Sequence, residues 1–278
     1  MGTDVDANNP ARTPRKPASG TLLRVLTHTQ NASALAFSVF MGIHLAAPLA
    51  AAFGATQAAD NVMLVGREYY HFLEPVAVYA PLGLHLASSL AKRALLAYRT
   101  GRFRTTTHTV LGYVLIPLVV PHLMLHRLIP ATEGPPINSL SPSEMGYEFV
   151  GYACGTRKWM TAGYVLLTGV ALWHGVIGLG KAIQWAKGLG GRADREGGSR
   201  KEADSKMDAN ASEKKRSKLP ASQAEKQRAT RSLITTITMA VCVGLVRLTA
   251  DAQGLSSLAA SRYDAVFAAA PWASIGFR

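Results

Sequence analysis

The chain has 278 residues, 48% hydrophobic and 17% charged, with 30 Lys and Arg against 17 Asp and Glu for a net charge of +13. Apolar residues gathered in blocks, with the charge confined between them, exclude an ordinary soluble domain of average composition. The positive balance does not point to nucleic acid, because no zinc-ligand spacing, stacking platform or basic helix accompanies it.

In chain order, residues 1 to about 28 read as a disordered polar arm, since Asp4, Asp6, Asn8, Asn9, Pro10, Pro14 and Pro17 can build no packed face. The arm has no apolar core of a secretory signal, and its acids and prolines disfavour an amphipathic presequence. Delivery to a membrane is therefore expected to rest on the apolar segments themselves. The first, from about Ala32 to Phe53, has the ~20 residues that cross a bilayer core. Pro48 falls late in it, where a kink is tolerated in lipid. A nearly neutral link, 54–70, leads to a second segment from about Phe72 to Leu96. This one carries Glu74 near its start and ends in Lys92 and Arg93, which can snorkel to headgroups. Arg99, Arg102 and Arg104 then make the connection strongly basic.

The third segment, about Thr107 to Ile129, contains Pro117 and Pro121 and finishes in His126 and Arg127. A Pro-, Ser- and Glu-containing loop follows, Pro130 to Lys158, with an aromatic patch at 147–152. The fourth segment, Trp159 to Trp185, is bracketed by tryptophans that favour the membrane interface. Ala186 to Arg231 has no apolar periodicity and reads as a disordered basic loop. A fifth span is expected over 232–250, near the lower limit of length and interrupted by Arg247, and the tail 251–278 shows no clear pattern. The expected fold is thus all-α: a polytopic membrane protein with a four-helix transmembrane core at 29–185 and one further span. The arm and the connections at 97–106 and 186–231 are basic and would share one side, which the positive-inside tendency makes cytosolic. Cys154 and Cys242 form neither a metal pattern nor a disulfide framework.

Each of the first four segments carries one histidine near its middle: His44, His85, His122 and His174. A polar ring at bilayer depth is costly unless paired, so four of them invite a functional explanation. Counting residues from alternating helix ends puts His85 with His174 at one level and His44 with His122 at another. In an up-down bundle the first and third helices are diagonal, as are the second and fourth. Each pair can then face across the interior, the geometry of bis-imidazole haem b ligation. The plainer alternative is hydrogen bonding to Ser38, Ser88, Ser89, Thr168 or a backbone carbonyl. Arg93 and Arg127, at helix ends on opposite sides, could meet haem propionates or lipid phosphates. His122 and His126 share a helix face, but metal binding there would need partners for which Glu74 is the one candidate of similar depth, and no metal site is expected. No GxSxG, phosphate-cradling loop or HExxH is present, so catalysis by the polypeptide alone is not expected.

Several stretches carry a resemblance: Phe40-Met41-Gly42-Ile43-His44-Leu45; Arg67-Glu68-Tyr69-Tyr70 with Glu74-Pro75; Pro81-Leu82-Gly83-Leu84-His85; Gly112-Tyr113 with Pro117; His122 to Pro130; Gly146-Tyr147-Glu148; and Tyr164 to Gly178. Over about residues 30–180 the chain resembles the fungal mitochondrial adapter proteins of the Mcp type, known as suppressors of defects in endoplasmic reticulum to mitochondrion tethering. The resemblance implies a multi-pass protein of the mitochondrial outer membrane that recruits a bridge-like lipid-transfer protein of the vacuolar-sorting thirteen type. It also implies a core similar to the membrane anchors of succinate dehydrogenase and fumarate reductase, whose histidines hold haem b. In the family recruitment is attributed to a Pro-x-Pro motif in the cytosolic arm. Here the corresponding residues are Pro10, Pro14 and Pro17, with the spacing Pro14-Arg15-Lys16-Pro17.

Overall fold

The computed structural model describes residues 18–70, 72–103, 105–141, 144–197 and 221–275. Among them there is no strand, and seven α-helices follow in order: α1 (Ala18–Tyr70), α2 (Ala80–Thr100), α3 (Thr107–Leu123), α4 (Tyr147–Thr156), α5 (Lys158–Gly197), α6 (Ala221–Asp251) and α7 (Ser257–Ala268). One-turn π-helices, Pro75–Tyr79 and Met124–Leu128, lead into α2 and extend α3. Pro10, Pro14 and Pro17 lie outside the described residues.

Four helices are long and apolar enough to cross a membrane: α1, α3 with its π turn, α5 and α6. In their most apolar windows only 6% of residues in α3 and 28% in α6 are buried by the protein. That much outward apolar surface needs a hydrocarbon solvent. The chain is a multi-pass, all-α membrane protein. The fifth expected span is among the four, as the C-terminal part of a 31-residue helix. The second expected span is helical but not among them, because Lys92, Arg93 and Arg99 dilute its apolar face.

Three boundaries differ from those expected. Residues 18–28 are helical rather than part of a disordered arm, since Leu22, Leu23, Val25 and Leu26 recur at helical spacing and continue the first span outward. The link 54–70 is the second limb of α1. The ends of the basic loop, 186–197 and 221–231, extend α5 and α6, because Ala, Gln, Glu, Lys and Arg propagate a helix already nucleated in the membrane. Residues 198–220 lie outside the described residues.

The first span does end at Phe53. Gly54 leaves helical geometry (φ −134°, ψ 22°), and Ala55 takes φ 50°. The end of α6 holds both sides of this break. Arg247 donates to Ala52 O at 3.1 Å, satisfying the C-terminus of the first limb, and Asp251 Oδ2 accepts from Thr56 N at 3.1 Å, capping the second. Ala47, Ala51, Ala55 and Ala59, spaced by four and all buried, give α1 a smooth stripe toward α4 and α6. Gly151 of α4 lets that helix come closer still: a Cβ there would lie 2.2 Å from Leu248 O.

The break, the second limb, the loop 129–146, α4 and α7 gather at one end of the bundle as a cap. Its core is Leu125, Ile129, Phe149, Met160, Tyr263 and Phe267, with the Phe149 and Phe267 rings stacked at 5.3 Å. The tail, patternless in sequence, therefore contributes α7 to this core. Arg157–Asp264 and Arg262–Glu144 ion pairs, each at 2.9 Å, close its surface, and the Tyr263 hydroxyl donates to Glu144 O. Burial pushes the Tyr263 phenol up to about 12, helped by the charges of Glu148, Asp60 and Glu144. The other end, where the connection 101–106 emerges, is the basic face.

Gly151→Ala should lower thermal stability by about 1–3 kcal/mol by forcing α4 off α6. Gly163→Ala, with nothing within 4 Å of the new methyl, should be neutral or mildly stabilising. Equal melting temperatures for the two variants in detergent would contradict the close α4–α6 packing.

Candidate functional site

The bundle interior is built from α1, α2, α3 and α5. Helix α1 packs along α2, α5 and α6, and α3 along α5, so α1 and α3, and α2 and α5, are the pairs that face across the interior. The four histidines meet in those pairs. The rings of His44 and His122 have centroids 5.8 Å apart and planes at 77°. Those of His85 and His174 are 6.3 Å apart at 81°.

The His85–His174 level lies toward the basic face. His85 Nδ1 is 3.1 Å from Gln30 O, and His174 Nδ1 is 3.0 Å from His108 O. A carbonyl only accepts, so both Nδ1 atoms carry the proton and both Nε2 atoms keep a lone pair. The His108 ring stacks flat on His174 at 4.1 Å. Gly112, one turn further along α3, leaves room for the His174 ring that any Cβ would take, at 2.9 Å from Cε1. Of the serines named as alternative partners, Ser38 donates to Ala34 O and Ser88 to Leu84 O, each within its own helix, while Ser89 does neither.

The His44–His122 level lies toward the cap. Phe40 stacks on His44 at 5.2 Å, and His122 and His126 sit 4.6 Å apart. His126 Nε2 is 2.9 Å from the Tyr164 hydroxyl, with the Phe149 ring edge-on. The i to i+4 spacing from His122 already placed His126 on the same helix face in the sequence, whereas only the tertiary fold brings Tyr164 to it. His122 Nδ1, His108 Nδ1 and Ser89 Oγ are buried without a hydrogen-bond partner among the described residues.

Glu74 and Arg127 are not free for cofactor or metal. Arg127 Nε and an Nη grip the Glu74 carboxylate at 2.7–3.0 Å, and Tyr79 donates to the same carboxylate at 3.0 Å. In this structure Arg127 is thus engaged by Glu74, and Glu74 lies with Arg127 and Tyr79 rather than with His122 and His126. Among the described residues no three His, Cys, Asp or Glu side chains converge as a metal site. Both cysteines are free thiols. Arg67 donates to Met145 O at 3.0 Å, and Asp60 accepts from Tyr147 N at 2.7 Å. Residues from four separated stretches are thus tied into one frame beneath the cap.

The residues at the His85–His174 level fit a haem. Two Fe–N bonds of about 2 Å place opposed imidazole centres about 6 Å apart, and each ring presents its bare Nε2 while Nδ1 is held by a carbonyl. At the other level the spacing also fits, but the His122 Nδ1 lacks the supporting acceptor.

No protein-family model, curated protein or solved structure matches the chain.

Glu74→Gln should destabilise the protein by about 1–3 kcal/mol. It strands a guanidinium that is 39% exposed and can recover part of its hydration. Adding Arg127→Gln should restore part of that loss; a double variant as unstable as the sum of the singles would show that the two groups are not coupled.

Proposed function

We propose that the chain is a non-enzymatic, multi-pass adapter of the mitochondrial outer membrane, with its N-terminus in the cytosol. It would recruit a bridge-like lipid-transfer protein of the vacuolar-sorting thirteen type and so support mitochondrial lipid homeostasis. One observation carries the reading. The stretches that hold the resemblance to the Mcp-type adapters, far apart in sequence, come together in this fold. His44 meets His122, His85 meets His174, Glu74 meets Arg127, and Arg67 reaches the turn before Tyr147. Residues that form one framework are better support for a resemblance than the same residues scattered. The basic ends of the helices would face the cytosol under the positive-inside tendency, the side on which a cytosolic lipid-transfer protein is met.

Removing residues 1–17, which leaves α1 intact from Ala18, should abolish co-purification of the lipid-transfer protein from mitochondria while the chain stays in the membrane. Undiminished co-purification would take Pro10, Pro14 and Pro17 out of the contact.

A second reading, a b-type haem protein of electron transfer or quinone chemistry, is favoured by the two carbonyl-held imidazoles. Bound haem would supply a one-electron couple; His85 and His174 would hold it, with Gln30 O and His108 O fixing their tautomers. Purified protein should then show a reduced-minus-oxidised b-type band that His85→Ala or His174→Ala abolishes. A colourless preparation would remove this reading and leave the adapter untouched.

A further inference from the structure

The basic face holds a second group of side chains that the histidine pairs do not use. Lys92 and Arg93 come from α2, Lys181 from α5, and His108 and Thr109 from the first turn of α3. Lys92 Nζ reaches the Gln30 side-chain oxygen at 3.3 Å, and Arg93 donates to the Thr109 hydroxyl. Lys92 is thereby held against α1 and Arg93 against the first turn of α3. A Cβ on Gly178 of α5 would lie 3.2 Å from the His108 ring, so Lys181, one turn further along α5, stands beside the first turn of α3 that Arg93 reaches, and the charge of Arg93 acts on both Lys92 and Lys181. Among the described residues no carboxylate ion-pairs with Lys92 or Lys181. The positive end of α3, whose Thr106 caps Thr109 N, adds to the same potential. His108 Nδ1 is buried there without a partner. Two helices thus bring like charges to the N-terminal end of a third, an arrangement that an anion between them relieves.

We propose that this cluster binds the phosphate of an anionic phospholipid. The anion is a lipid rather than a free ion because of where the cluster sits. Helix α3 starts at Thr107, immediately after the exposed connection, so the cations lie at helix-end depth, the level of headgroups. Just inward and around it, Leu90, Leu96, Val110 and Ile183 expose apolar side chains on the same helices, a surface for the acyl chains of the lipid so held. The donor set suits a phosphate: two ammonium point charges and a guanidinium fork, with a hydroxyl beside it. The proposal rests on the membrane-spanning fold and on neither the adapter nor the haem reading.

The test uses the full chain in phosphatidylcholine nanodiscs titrated with phosphatidic acid, with bound lipid counted by native mass spectrometry. Each of Lys92→Gln and Lys181→Gln should weaken retention about fivefold, and the double variant about 25-fold. Lys92→Arg with Lys181→Arg should keep it, which separates lost charge from lost folding. Arg231→Gln, an exposed cation of α6, should change nothing. Wild-type retention by the double glutamine variant overturns the proposal. Displacement of the lipid by an equal concentration of inorganic phosphate also overturns it, in favour of a site for a free anion.

Discussion

The constraint on which this structure turns is that an imidazole carried to bilayer depth must find its hydrogen bond inside the protein. Water is absent, and an unmet buried donor costs about 1–3 kcal/mol. The fold answers with backbone carbonyls that still have a free lone pair. Gln30 O serves His85, and His108 O serves His174, each across a helix–helix contact. These bonds do more than satisfy a donor. They fix which nitrogen bears the proton, aim each ring along one direction, and tie α1 to α2 and α3 to α5. Rotating either helix by one position would lose both the bond and the pairing.

The two ends of the bundle are held differently, and the difference follows from what covers them. At the cap, apolar side chains from four elements bury one another, and ion pairs sit over them with partial exposure, as in a small soluble core. At the basic face there is no comparable apolar cluster among the described residues. There the elements are joined by single contacts: Trp185 Nε1 to His28 Nδ1 at 3.2 Å, Lys92 to Gln30, Arg93 to Thr109. A rigid cap beside a sparsely joined basic end places the capacity for adjustment at the end that carries the cations.

Much of this was legible in the sequence, for reasons that can be named. The spans announce themselves because hydrocarbon admits few charges, so Phe53 could be read as an end and Thr107 as a start. The histidine pairing followed from counting 1.5 Å per residue in helices of alternating direction, and both pairs meet. What could not be read were features that depend on partners distant in sequence. Gly54 and Ala55 look like a loop, but Arg247 and Asp251, almost two hundred residues later, make them a turn between two helical limbs. Arg127 could be read in the sequence as meeting a propionate or a lipid phosphate, and the fold pairs it with Glu74, 53 residues away. The segment 257–268 has no periodicity of its own because its apolar residues are fitted to the loop 129–146, not to a regular surface.

The interior demands more than an adapter needs. A scaffold that only displays an arm could fill its middle with leucine and pack as well or better, since replacing buried polar groups with well-fitted apolar ones tends to stabilise. Here, among the described residues, His122 Nδ1, His108 Nδ1 and Ser89 Oγ are enclosed without partners, while the His85 and His174 rings meet edge to face with centroids 6.3 Å apart. Unmet polar atoms at two levels of a bundle constitute a standing cost, which water, a lipid headgroup or a haem would relieve and which recruitment would not. The physical content of these rings is therefore separate from whatever the arm does, and a chain that recruits through one end can still bind something through its middle.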